Sequence, residues 1–154
     1  MSRSGYSEDC EQWALIRWRG AVESAIRGKR GQAFLKELEA ALVALPEKKL
    51  CAGLFADPEK GEVCAIGSVA LKRRMDTGME KMSAIKDIYD KYPEDTQADQ
   101  CENEFNIAGA LAKEIAFMND DEFCYRESSE NRYENVLKWV RENIKSSPST
   151  STKG

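Results

Sequence analysis

No histidine occurs in the 154 residues, which removes the side chain most often used as a general base and the commonest nitrogen ligand for a metal. Proline is almost as scarce, with four in all, so few points force a helix to stop. The five cysteines, Cys10, Cys51, Cys64, Cys101 and Cys124, form no C-x-x-C pair, and their odd number leaves one thiol over in any complete disulfide scheme. That usage suits a reducing compartment, and a structural zinc would need cysteines gathered from distant segments. No apolar run approaches the roughly 20 residues that span a bilayer. The opening MSRSGYSEDC has no apolar h-region, so a cytoplasmic location without membrane contact is expected. Neither G-x-x-x-x-G-K-[ST] nor G-x-G-x-x-G follows a strand. No catalytic residue, cofactor or metal is therefore assigned, and the chain is not expected to be an enzyme.

What is present is helical periodicity. Leu15, Trp18, Val22, Ala25 and Ile26 form one stripe of a helix running from Cys10 to Arg27, with Gly28 as its C-terminal cap. After a GKRG turn, Phe34, Leu35, Leu38, Ala41, Leu42 and Leu45 line a second helix from Gly31 to Leu45, which Pro46 ends, so the two should form an antiparallel hairpin. LCAGLFA and EVCAIGSVA flank a D-P-E-K-G turn, which predicts a short β-hairpin near residues 50–66 leading into a helix near Gly67. Further helices are expected at 80–92, with Met82, Ile85, Ile88 and Tyr89 inward, at 105–118, burying Ile107, Leu111, Ile115 and Met118, and from about Ser129, using Tyr133, Val136, Leu137, Val140 and Ile144. The fold expected is mainly α: one domain of about five to six helices over residues 1–145, with a disordered polar tail at 146–154.

Charge is unevenly spread along a chain of net charge −4. The first 36 residues carry seven cations and four acids, whereas Asp87 to Glu104 holds seven acids and one lysine. The segment TQADQCENEFNIAGALAKEIAFMND has the outline of a helix-turn-helix, but its second helix would present Lys113 among five acids, a surface that repels phosphate. Asp120, Asp121 and Glu122 could ligate a divalent cation, yet they do not follow the spacing of an EF-hand loop, and a solvated helix end explains them equally well. Trp13 and Ile16 lie off the apolar stripe beside Arg17, Glu23 and Arg27. A tryptophan among arginines is the composition of an interface hot spot unless another helix covers it. Candidate partner-binding residues are Trp13, Arg17, Arg19, Arg27, Lys29 and Arg30 on the hairpin, and Asp95, Asp99, Glu102, Glu104, Asp120 and Asp121 in the acidic segments.

Through WALIRWRGAVESAIRGKRGQAFLKEL, VCAIGSVA and ALAKEIAFMND the chain resembles a group of small uncharacterised phage and prophage proteins. That group carries no established catalytic motif, so the resemblance assigns no functional residue. Its general character is similar to that of inhibitors of bacterial immunity, including anti-CRISPR proteins. The resemblance implies a protein in the cytoplasm of a bacterial host cell that blocks a defence protein or ribonucleoprotein complex by stoichiometric contact. The alternative is a nucleic-acid-binding accessory protein, with Arg17, Arg19, Arg27, Lys29, Arg30, Lys72, Arg73 and Arg74 on one basic face. Oligomeric state is not legible.

Overall fold

The structure, a computed structural model, describes residues 12–94, 96–120 and 128–144, with side chains from Ile16 onward. Among these residues seven α-helices and one two-stranded sheet follow each other along the chain, a mainly α fold as expected. Helix α1 (Gln12–Arg27) and helix α2 (Lys29–Ala44) are joined by Gly28 alone. That residue is extended (φ −72°, ψ 165°) and is the N-cap of α2. It is therefore no left-handed C-cap of α1, and Lys29 and Arg30 belong to the first turn of α2 instead of a loop. So short a join makes the helices cross closely: a Cβ on Gly31 would lie 1.8 Å from the Ala25 carbonyl oxygen. The α1 stripe holds where it is described, with Val22 buried and Trp18, Ala25 and Ile26 half-buried. The Leu15 side chain lies outside the described residues.

The predicted hairpin exists with arms of two residues each. Strands β1 (Ala56–Asp57) and β2 (Glu62–Val63) pair antiparallel, Ala56 opposite Val63. The Asp57 carboxylate accepts the N–H groups of Glu59 and Lys60, and Gly61 closes the turn at φ +70°. Helix α3 (Ala65–Asp76) begins two residues before the expected start at Gly67, because the Cys64 sulfur caps it by accepting from the Gly67 N–H at 3.3 Å. Its first seven residues, Ala65 to Leu71, are all buried. A helix enclosed on every side shows no amphipathic stripe, so its start read as strand.

Helix α4 (Lys81–Lys91) is capped by the Glu80 carboxylate and buries Ala84, Ile85 and Ile88. Met82, expected inside, is exposed. It lies in the first turn of α4, where the Glu80 cap bonds its N–H. The helix expected from 105 to 118 is divided. A 3-10 turn (Ala98–Cys101) leads into the single-turn helix α5 (Glu102–Phe105), the helix beyond the expected count. Asn106 then breaks the chain in the left-handed region (φ 56°) before α6 (Gly109–Asp120) begins. Leu111 and Ile115 on α6, and Ile107 just ahead of it, are buried as expected, whereas Met118 is only half-buried. Helix α7 (Ser129–Asn143) starts at an N-cap on Ser128, whose hydroxyl accepts from Asn131 N–H.

One connected apolar cluster draws on α2, α3, α4, α6 and α7, with Leu35, Leu38, Ile66, Ile85, Ile115 and Val136 at its centre. Two polar side chains cross it. The Tyr133 hydroxyl donates to the Leu42 carbonyl at 2.8 Å, and buried Arg132 donates to the Leu50 carbonyl at 3.1 Å. These bonds tie α7 to the end of α2 and to the strand-like segment after it. No helix among the described residues is long and apolar enough to cross a membrane. The tail at 146–154 lies outside the described residues.

Candidate functional site

The basic residues divide into two groups. On α3 all three are engaged: Lys72 bonds Asp76 at 2.9 Å, and Arg74 bonds Asp87 at 2.7 Å. Arg73 forks onto both Glu37 oxygens at 2.7 and 2.8 Å while donating to the Glu104 carbonyl, and its guanidinium lies over the Phe105 ring. On the α1–α2 hairpin the cations face solvent. Arg17, Arg19 and Lys29 are exposed and have no ion pair among the described residues. Arg27 pairs with exposed Glu23, and Arg30 reaches Asn106 at a long 3.4 Å. Ile16, near the start of α1, is 58% exposed. The Trp13 side chain lies outside the described residues.

Most acids picked out from the sequence hold the fold together. Glu102 accepts the Gly109 N–H at 2.7 Å and so serves the start of α6. Asp99 pairs with Lys113 at 3.5 Å. Glu104 receives Lys91 at 2.6 Å and the Tyr92 hydroxyl, with Arg74 at 3.8 Å. Burial raises the affinity of Glu104 for its proton, but the bonds from Lys91 and Tyr92 outweigh it, and the pKa falls below the ordinary value. The hydrogen bond from Arg73 is the main cause of a lowered pKa at Glu37. Asp95 and Asp121 lie outside the described residues. Within the acidic segment Asp87, Asp99 and Glu104 are thus paired with cations.

A folded-state pKa below the usual 4.5 means that the ion pairs of Glu37 and Glu104 stabilise fully above that pH. As pH falls through the depressed folded values, the unfolded chain takes up protons first and the contribution is lost. The urea midpoint should therefore drop between pH 6 and pH 3, and Glu37→Gln should show a smaller drop than the parent chain. An equal drop in both would place the acid sensitivity elsewhere.

Sequence reasoning missed a cavity of about 400 Å³. Four segments distant in the chain wall it: Gly53 to Phe55, the start of α3, the α4–α6 connection, and the second half of α6. At its edge Asn119, 3% exposed, accepts the Ala65 N–H and donates to the Cys51 carbonyl, each at 2.9 Å. Its amide also donates to Asp120 Oδ1 at 2.7 Å, and the Gly53 N–H donates to that same oxygen at 3.1 Å. The nearby thiols are inert. Burial pushes Cys51 up to about 12 and holds Cys64 well above its usual range, which suppresses the nucleophilic thiolate. Among the described residues no three Cys, Asp or Glu side chains are grouped as a metal ion would require.

These features describe a mainly α protein with an exposed basic hairpin and a separate walled cavity. No family model, no curated protein and no solved structure matches the chain.

Proposed function

We propose that this chain is a non-catalytic binding protein that acts by stoichiometric contact, presenting the α1–α2 hairpin to an acidic surface on its partner. One observation carries this reading: Lys29 and Arg30 occupy the first turn of α2, where no acid accompanies them and glycine supplies no side-chain cap. The N-terminal end of a helix carries partial positive charge, so cations there are disfavoured and a carboxylate from outside is favoured. A groove of about 210 Å³ beside these residues, lined by Ser24, Gly28 and Ala108 among others, is large enough for an acidic side chain. Further along α1, Ile16, Arg17 and Arg19 are exposed and add apolar area and charge to the hairpin surface.

The resemblance to phage proteins makes the partner a bacterial anti-phage defence protein or ribonucleoprotein complex, such as a CRISPR-Cas effector. The nucleic-acid reading uses the basic face of the same hairpin, and Lys72, Arg73 and Arg74 on α3, which would widen that face, already hold carboxylates. The test is recovery of tagged protein from a nuclease-treated lysate of defence-bearing bacteria, with a triple charge reversal (Arg17→Glu, Arg19→Glu, Lys29→Glu) alongside. One stoichiometric host complex, recovered by the parent chain and bound about ten-fold or more weakly by the reversal, is expected. Recovery that disappears with nuclease, or a complex indifferent to the reversal, would overturn the proposal.

A further inference from the structure

We propose that the cavity between α3 and α6 is a binding site for a small cationic amphiphile, an apolar body bearing an ammonium group that pairs with Asp120. Its volume of about 400 Å³ is in the range of small-ligand pockets. Leu54, Phe55, Ile66, Ala116 and Phe117 furnish apolar walls for the body. Phe55 is fixed in turn by stacking on Tyr92, ring centres 4.9 Å apart.

The charge of the head group follows from which polar atoms remain unused. Features that would attract an anion are engaged: the first N–H groups of α3 bond Asn119 and the Cys64 sulfur, and Lys113 pairs with Asp99. The Asp120 carboxylate is different. Oδ1 is held by the Gly53 N–H and by Asn119, and Oδ2 has no partner among the described residues. Asp120 is also the last residue of α6, whose final turn contains no basic residue. An acid at the negative end of a helix dipole is electrostatically misplaced, and a cation there is favoured. Glu94 on the same rim adds charge of the same sign. Because Asn119 is buried and bonded to two backbone groups, the carboxylate it orients is set before any ligand arrives.

The test titrates the full chain with three probes of one chain length, n-octylammonium, octanoate and octanol, followed by amide nuclear magnetic resonance. Octylammonium is expected to shift the amides of Gly53, Ala65, Ala116 and Phe117 and to bind at least ten-fold more tightly than octanoate or octanol. Asp120→Asn should bring octylammonium down to the level of octanol, and Ala116→Trp should abolish the shifts while the remaining spectrum stays dispersed. Octanoate or octanol binding as tightly as octylammonium, or no shift at those amides with any of the three, overturns the proposal. The comparison among probes on the parent chain stands even where a variant fails to fold.

Discussion

Gly67→Ala is expected to lower the melting temperature by roughly 10 °C, about 3 kcal/mol or more of stability. A Cβ at this position would lie 1.9 Å from the Phe55 carbonyl oxygen, 3.0 Å from its carbon and 3.2 Å from the Val63 Cβ. The nearest obstruction is backbone, so no side-chain rotation relieves it. The Phe55 carbonyl is itself held, since it accepts the Cys64 N–H at 3.0 Å, and the Phe55 ring is stacked on Tyr92. Moving it would pull the hairpin off the start of α3 and disturb the apolar cluster from within. Gly20→Ala provides the control. Its added methyl would meet nothing within 4 Å, and alanine in mid-helix is favoured over glycine by roughly 1 kcal/mol. Thermal melts of the two variants should therefore move in opposite directions. A Gly67→Ala protein melting within about 2 °C of the parent would show that the hairpin does not rest on α3 as described.

That packing was only partly readable from the order of residues. Helices α2 and α7 were legible because each buries one face and leaves the other wet, so Leu35, Leu38 and Leu42, or Tyr133, Val136 and Val140, recur at helical spacing. Helix α3 was misread at its start because Ala65 to Leu71 are buried on all sides. Charge proved less legible than apolar pattern. Arg73 and Arg74 looked like surplus cations on a basic face, yet their partners Glu37, Asp87 and Glu104 stand 36, 13 and about 30 residues away in the chain. Asp99, Glu102 and Glu104 looked like an acidic patch for the same reason, since periodicity reports which face a residue occupies and not what it meets there. The cavity left no trace at all. Its walls come from four separated segments, and its key polar residue, Asn119, is a lone amide near the end of an otherwise ordinary amphipathic helix.

Asn119→Leu should destabilise the chain by roughly 3–5 kcal/mol, although leucine has the same number of side-chain heavy atoms as asparagine and the site is buried. The amide fills three roles at once: acceptor for Ala65 N–H, donor to the Cys51 carbonyl and donor to Asp120. An apolar replacement leaves a buried donor and a buried acceptor of the backbone unsatisfied, each at a cost of about 1–3 kcal/mol. Asn119→Asp separates this bonding role from simple space filling. The new carboxyl, when ionised, still accepts from Ala65 but confronts the Cys51 carbonyl and the Asp120 carboxylate with negative charge. When protonated it can donate again. Burial and a like charge both raise its folded-state pKa above the unfolded value, so its stabilising form is fully present below the unfolded pKa and is lost as pH rises through the folded one. Measured by urea denaturation, the deficit of Asn119→Asp relative to the parent should shrink on going from pH 7 to pH 4, while the deficit of Asn119→Leu, which has nothing to titrate, stays nearly constant. Equal deficits for both variants at both pH values would mean that the site needs only volume, and that Asn119 does not fix the carboxylate at the mouth of the cavity.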